Sequence, residues 1–191
     1  MNHSFEEVYH CSPVQGLTLI TPRISTHGQS WVYATGNEVM SSVFLGREGG
    51  DFTCGTGTLN GMPYVIERFE GAIELRYGSK RGSLYVLPGQ GFGAGRTTWS
   101  HDLVSEEAVA PLREIKVHDA KDHLLRLAAE GRLIVKFYPE RFEGMPDDDE
   151  DLVERAAAWN SVEGLRKYHP GLVDRALEAI ASGKYRGGPS S

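Results

Sequence analysis

Three places in the chain carry side chains that could do chemistry: His10, Tyr33 and the adjacent pair Glu106 and Glu107. A histidine ring can donate or accept a hydrogen bond, a tyrosine offers a flat aromatic face, and a carboxylate can stabilise a positive charge. Each also has an ordinary structural explanation, as a hydrogen-bonded histidine, a core tyrosine or a solvated glutamate pair. Their order and their surroundings must decide between these interpretations.

Well-known catalytic and nucleotide-binding motifs are missing from the chain. No glycine-rich stretch continues into Gly-Lys-Ser/Thr, and neither His-Glu-x-x-His nor Gly-x-Ser-x-Gly occurs. The run from Gly89 to Gly95 does not match a dinucleotide fingerprint, so we interpret it as a flexible loop, with a substrate lid as the alternative. His118 and His123 have no third ligand near them, so no metal site is expected.

The composition is that of an ordinary globular protein. The 191 residues are 40% hydrophobic and 24% charged, with a formal net charge of -6. This acidity argues weakly against non-specific nucleic-acid binding. Cys11 and Cys54 are too few for a disulfide framework, and they predict free thiols in a reducing compartment. With no signal-peptide pattern at the N-terminus and no long apolar run, we expect a cytoplasmic protein that does not enter membranes.

The first two thirds of the chain are typical of a β-rich region. Strand-like runs alternate with glycine-containing segments such as 49–51, 55–57 and 60–61, which we interpret as turns. Asn37 can cap a helix whose apolar positions extend to Phe44. The predicted strands cover residues 5–10, 31–35, 64–69, 84–87 and 112–117, so that Glu106 and Glu107 stand just before the last of them.

After residue 118 the pattern becomes mainly helical. Asp119 can cap a helix that ends at Gly131, and residues 133–138 are typical of one more strand. The acidic residues 147–151 suit the N-terminus of a helix because of the helix dipole, and two or three helices continue to about Ser182. We therefore predict an α+β fold, with a compact, mostly antiparallel, split β core and C-terminal helices.

The same pattern predicts how the chain is divided. Residues 1–140 form an α+β domain, residues 141–184 form a helical extension packed on it, and residues 185–191 form a disordered tail. In the extension, the apolar residues Leu152, Val153, Ala156 and Trp159 recur at helical spacing. They favour packing against the core over binding to a partner.

The sequence around the candidate residues has a recognisable order. Tyr-His-Cys-Ser-Pro at 9–13 is followed by Leu-Thr-Leu-Ile-Thr-Pro at 17–22. Val-Tyr-Ala-Thr at 32–35 leads into the predicted helix, with Phe44 eleven residues after Tyr33. Val-Ser-Glu-Glu-Ala-Val at 104–109 precedes a later strand. Over roughly residues 5–118 this arrangement resembles the ADP-ribosyltransferase superfamily in its His-Tyr-Glu form, in a small phage or bacterial branch.

The resemblance implies an ADP-ribosyltransferase-like fold and the use of NAD as a substrate, without a metal. Cleavage of the bond between nicotinamide and ribose should pass through an oxocarbenium-like transition state, which a carboxylate can stabilise. The resemblance assigns that role to Glu107 in preference to Glu106. The implied NAD-binding residues are His10 for a ribose hydroxyl, Ser12 for the nicotinamide side or a ribose, Tyr33 and Phe44 for the nicotinamide ring, and Thr35.

The same sequence features are compatible with two other functions. Cys11 replaces a glycine that usually lets the backbone of this family approach the ligand closely. An RNA 2′-phosphotransferase on the same fold would need arginines to hold phosphates, and several are available. A binding module that kept the fold without the activity is a third interpretation. The partners implied are NAD and an acceptor that is a protein, a nucleic acid or a small molecule.

Overall fold

The structure is a computed structural model that describes residues 5–24, 28–97 and 99–185. It confirms the predicted α+β class, because its sheets are mostly antiparallel and several helices follow them at the C-terminal end. Of the tail predicted at 185–191, everything after Tyr185 lies outside the described residues.

The main sheet holds all the strands that carry the candidate residues. In the described part of the chain its strands are β1 (Glu7–Ser12), β2 (Arg23–Ile24), β3 (Ser30–Thr35), β6 (Gly82–Pro88), β7 (Gly93–Ala94), β8 (Asp102–Ser105) and β9 (Arg113–Val117). Their order is β7-β8-β3-β1-β6-β9, with β2 also paired to β3, and every pairing is antiparallel. The strands of His10 and Tyr33 are therefore neighbours.

A smaller sheet joins β4 (Cys54–Leu59), β5 (Met62–Glu67) and β10 (Ile134–Lys136). Strands β4 and β5 form a hairpin whose turn, as predicted, is Asn60-Gly61, with φ of 51° and 79°. The prediction of a turn at 55–57 was wrong, because these residues lie inside β4. The glycines there serve packing: a Cβ on Gly55 would lie 3.0 Å from the Ile66 side chain, and a Cβ on Gly57 would lie 2.8 Å from the Tyr64 hydroxyl.

The described helices are α1 (Glu38–Ser42), α2 (Ala72–Tyr77), α3 (Ala120–Ala129), α4 (Glu150–Ala158), α5 (Glu163–Tyr168) and α6 (Val173–Ser182), with 3-10 turns at Gly50–Phe52 and Pro170–Leu172. Both predicted caps form. Asn37 Oδ1 accepts from the first turn of α1 at 2.9 and 3.1 Å, and Asp119 Oδ1 accepts from Asp122 N at 3.0 Å. The prediction missed α2, and α1 ends before Phe44.

Apolar clusters cover both faces of the main sheet. On one face, α1, α2 and α3 pack over a cluster that includes Met40, Leu84 and Leu124. On the other face, Val8, Val32, Ala34, Tyr85 and Leu87 belong to a second cluster. Because successive strand residues point to opposite faces, these clusters fix the direction of the residues between them.

The C-terminal helices form their own cluster, which takes in Phe52 from the first 3-10 turn. Polar contacts add to this packing. Lys167 Nζ lies 2.6 Å from Glu48 Oε1, and His169 Nε2 lies 2.6 Å from the Phe52 carbonyl oxygen. The segment 141–184 therefore lies against the region around residues 48–52.

Candidate functional site

His10 stands where β1 and β3 separate. The ladder between these strands pairs Tyr9 with Thr35, and the next contact between them is made by a side chain: His10 Nδ1 lies 2.6 Å from the Tyr33 carbonyl oxygen. A carbonyl oxygen can only accept, so Nδ1 carries the proton and Nε2 of the neutral ring has a free lone pair. In residues 5–24, 28–97 and 99–185, no hydrogen-bond partner lies at Nε2.

The surroundings of His10 favour its neutral form. Burial lowers the pKa of the ring, and the positive charges of Arg47 and Arg23 lower it further, against the opposing effect of the bond to Tyr33. Both arginines are exposed, and neither guanidinium forms an ion pair or hydrogen bond with a described residue. The ring therefore presents an acceptor beside two cations that are available to an anionic ligand.

The Tyr33 ring projects from the face of β3 opposite to Val32 and Ala34, which are buried in the cluster around Val8. The ring is half-buried and meets Trp31 edge-on, with the ring centroids 6.0 Å apart. His10 thus contacts the backbone of Tyr33, while the two side chains leave their strands on different faces. The sequence prediction did not include Trp31, although its i,i+2 spacing to Tyr33 in a strand places both on one face.

Glu106 and Glu107 directly follow β8, a strand that the sequence did not predict. Pairing of Val32 with Ser105 and of Tyr33 with Val104 places the end of β8 beside Tyr33. Glu107 N donates to Ser105 Oγ at 3.2 Å, which turns the chain at this point. Since Glu107 lies three residues after Val104, its Cα can be at most about 16 Å from that of Tyr33.

The two glutamates differ in what they contact. Glu106 forms an ion pair with Arg96, and this contact, together with a hydrogen bond from Trp31, lowers its pKa. Arg96 also stacks on the Trp31 ring, 4.8 Å from the ring centroid. Glu107 is exposed, and its carboxylate has no partner in the described part of the chain. Of the pair, Glu107 is the carboxylate that a ligand can reach without displacing a cation.

The remaining predicted binding residues have local contacts of their own. Ser12 Oγ accepts from Val14 N at 3.2 Å, at the end of β1. Thr35 Oγ1 donates to the Asn37 carbonyl oxygen at 2.7 Å, at the far end of β3 from Glu107, so the structure does not bring these two together. Phe44 follows α1 and meets the Trp99 ring edge-on, with the centroids 5.3 Å apart.

Cys11, which stands where the resemblance to ADP-ribosyltransferases implies a glycine, points to the face of β1 opposite to His10. Its side chain is buried in the cluster under α1 and α2. Burial raises the pKa of the thiol to about 12, and it has the same effect on Cys54. Both thiols are therefore uncharged near neutral pH and are poor nucleophiles.

A cavity of about 1090 Å³ lies at the far end of the sheet, where β3 ends and β8 begins. Thr35, Asn37 and His101 line it, together with the glycine-rich segment that begins at Gly89. This segment forms a turn and the short strand β7, and no helix opens after it in the described residues. A loop bordering a large cavity is compatible with the alternative of a lid.

The described residues contain neither a cluster of metal ligands nor a helix that could span a membrane. No group of three or more His, Cys, Asp or Glu side chains is arranged to hold a metal ion. None of the described helices combines the length and the apolar character needed to cross a membrane.

Comparison of the chain with models of protein families, with curated protein sequences and with solved structures gives no match.

Proposed function

We propose that the chain transfers ADP-ribose from NAD to an acceptor, or to water, on an ADP-ribosyltransferase-like fold. The observation that carries this proposal is the junction of β1, β3 and the end of β8. There a neutral His10 is bonded to the Tyr33 carbonyl, with Arg23 and Arg47 close enough to act on its pKa and with Glu107 following the strand next to Tyr33.

Each of these groups has a chemical role toward NAD. The lone pair of His10 Nε2 accepts a hydrogen bond from a ribose hydroxyl, and the Tyr33 ring supplies an aromatic face for nicotinamide. Because the two side chains leave their strands on different faces, one NAD molecule must pass through the gap where β1 and β3 separate to reach both. Arg23 and Arg47 neutralise the diphosphate, whose oxygens suit the geometry of guanidinium groups. NAD is the substrate, and no metal takes part in the proposed reaction.

The reaction breaks the bond between C1′ of the ribose and the nicotinamide nitrogen, and nicotinamide leaves with the electron pair. Positive charge then develops on the ribose, as in glycoside hydrolysis. The Glu107 carboxylate stabilises this charge and can hold a ribose hydroxyl in position. The acceptor forms the new bond at C1′ and loses a proton.

A second candidate, RNA 2′-phosphotransfer, is favoured by the same unpaired arginines. It also consumes NAD, but it requires an RNA that carries a 2′-phosphate. Incubation with and without such an RNA separates the two reactions, since only the phosphotransferase would make nicotinamide release depend on it.

The first test is a thermal-shift titration with NAD, a non-hydrolysable NAD analogue and nicotinamide. NAD at a hundred times its Kd should stabilise the folded protein by about 2.7 kcal/mol, and Tyr33→Ala should remove this shift. The absence of a shift with all three ligands would exclude an NAD site and leave the binding-module interpretation.

Nicotinamide release from NAD then tests the carboxylate. We expect Glu107→Gln to reduce turnover about a hundredfold or more, because the variant keeps the shape and loses the charge. Glu106→Gln is the matched control, and it should change turnover only a few-fold. Equal losses in the two variants, or a greater loss in Glu106→Gln, would refute the assignment.

A further inference from the structure

A second pocket, separate from the His10 junction, lies between the β4–β5 hairpin and the start of α4. Its volume is about 340 Å³, within the range of small-molecule sites. Gly55, Tyr64, Arg68, Phe142 and Asp151 are among the residues that line it, and we call it the hairpin pocket. Gly55 lies beside the guanidinium, since a Cβ at this position would be 3.4 Å from Arg68 Nη2.

The hairpin pocket contains buried polar groups that the protein leaves unsatisfied. Arg68 is 5% exposed, and its Nη2 donates to Asp151 Oδ2 at 2.6 Å. Arg68 Nε and Nη1 and Asp151 Oδ1 have no hydrogen-bond partner. The nearest other carboxylate, Asp149, is 4.0 Å from Nη1, which is too far for a hydrogen bond. Buried groups of this kind are rarely left unpaired, so they indicate a place where a bound group is needed.

A ligand that both accepts and donates hydrogen bonds would satisfy these groups. Two guanidinium nitrogens need an acceptor, and one carboxylate oxygen needs a donor. A hydroxyl group does both, and two adjacent hydroxyls satisfy an Arg–Asp pair together. The pocket wall adds an aromatic surface, since Tyr64 and Phe142 lie with their ring centroids 4.7 Å apart. The Tyr64 hydroxyl has no hydrogen-bond partner in residues 5–24, 28–97 and 99–185.

The charges of the hairpin pocket argue against an anion. Its lining carboxylates are Asp51, Glu143 and Asp151, and its lining cations are Arg68 and Arg155, so the carboxylates outnumber the cations. Arg155 is already paired with Asp51. A phosphate or carboxylate ligand would approach Asp151 and Glu143 at close range, which is unfavourable. A neutral ligand avoids this cost.

We propose that the hairpin pocket binds a neutral ligand with adjacent hydroxyl groups, the chemistry of a sugar ring. Arg68 and Asp151 hold the hydroxyls together with the Tyr64 hydroxyl, and the rings of Tyr64 and Phe142 cover the apolar face of the sugar ring. The same diol occurs in free sugars and in the ribose of nucleosides. This inference does not rest on the proposed NAD chemistry, because the pocket shares none of the residues assigned to it.

The experiment is a ¹H–¹⁵N NMR titration of the full chain with D-ribose, methyl riboside, uridine and 2′-deoxyuridine. We expect saturable shifts at the amides of Gly55 and Gly57 with ligands that keep the adjacent hydroxyls. The response to 2′-deoxyuridine should be at least several-fold weaker, since it lacks one of them. Binding of ribose and its methyl riboside but not uridine would indicate a free sugar, and the reverse a nucleoside.

Variants connect the response to the proposed contacts. Asp151→Asn should weaken binding about tenfold, and Tyr64→Phe, which changes only a hydroxyl, several-fold. Asp147→Asn makes the same charge change at an exposed residue outside the pocket and should have no effect. If Asp151→Asn fails to fold, Tyr64→Phe decides. Unsaturable shifts with every diol, unchanged binding in the variants, or tighter binding of inorganic phosphate would each overturn the proposal.

Discussion

The free energy of unfolding of this protein should depend on pH below about 6.5 through two histidines, the half-buried His10 and the buried His123. His10 donates from Nδ1 to a carbonyl and is neutral for the reasons given above. In His123, Nδ1 lies 2.9 Å from Arg126 Nη2, which can only donate, so the proton is on Nε2, 3.1 Å from Ser42 Oγ. Burial, followed by the charge of Arg126, lowers the pKa of His123 as well.

The sign of the effect follows from the direction of these shifts. Both rings have pKa values below 6.5 in the folded state and near 6.5 when unfolded. Between these values the unfolded chain binds more protons, so acidification lowers the free energy of unfolding. Each ring contributes a slope of at most about 1.4 kcal/mol per pH unit, and the two together at most about 2.7 kcal/mol. The contribution is complete above pH 6.5 and is lost as the pH falls.

Urea unfolding at pH 7.5, 6.5, 5.5 and 5 measures this slope. Carboxyl groups with lowered pKa values, such as Glu106, titrate below their ordinary pKa of 4.5. They therefore do not contribute to the slope in this pH range. His10→Asn and His123→Asn should each remove part of the slope, and the double variant should remove most of it. His118→Asn, at an exposed position, is the control. A slope that survives in the double variant would refute the reasoning. Protonation of His10 should also weaken NAD binding as the pH falls through the lowered pKa of His10, because it removes the Nε2 acceptor.

Three further predictions concern the scaffold. Arg76→Met should lower the free energy of unfolding by about 3 kcal/mol or more in urea titrations. The change leaves three main-chain carbonyl oxygens without a donor, since the guanidinium donates to them at 2.7 to 3.0 Å. Gly46→Ala should destabilise by about 1–3 kcal/mol, since the added Cβ would lie 2.4 Å from a backbone oxygen; Gly171→Ala, with nothing within 4 Å, should be near neutral in the same assay. Asn37→Ala should lower the free energy of unfolding by about 1 kcal/mol, because the α1 cap is lost. Asn37→Asp should keep most of the stabilisation that the cap provides, and thermal unfolding measures both variants.

Much of the fold was predictable because its signals are local. The caps at Asn37 and Asp119 depend on one side chain and the next three residues, and both form as expected. The strands β1, β3, β6 and β9 carry dense apolar or β-branched residues, so their positions followed from composition. The elements that the sequence did not predict depend on tertiary contacts. Strand β4 contains glycines that are needed for packing against β5, and a glycine in isolation indicates a turn.

Part of the candidate site was likewise predictable from the sequence, and the rest depends on tertiary contacts. The residues His10, Tyr33 and Glu107 stood out by type and order, and the structure places their strands side by side. Which nitrogen of His10 carries the proton depends on a carbonyl twenty-three residues away, and the choice between Glu106 and Glu107 depends on where Arg96 lies. Neither contact can be predicted from the residues next to His10 or next to the two glutamates.

The sequence by itself determined the α+β class, the principal strands and the helix caps, because these follow from side-chain periodicity and from hydrogen bonds within a few residues. Only the tertiary structure decided which buried polar groups have no hydrogen-bond partner among the described residues. Arg68 and Asp151 are 83 residues apart, and only the tertiary fold brings the start of α4 next to the residue that follows β5, where the unsatisfied atoms of the pair are buried. Burial turns such groups into candidate sites, since a polar group cut off from water must find its partner in the protein or in a ligand.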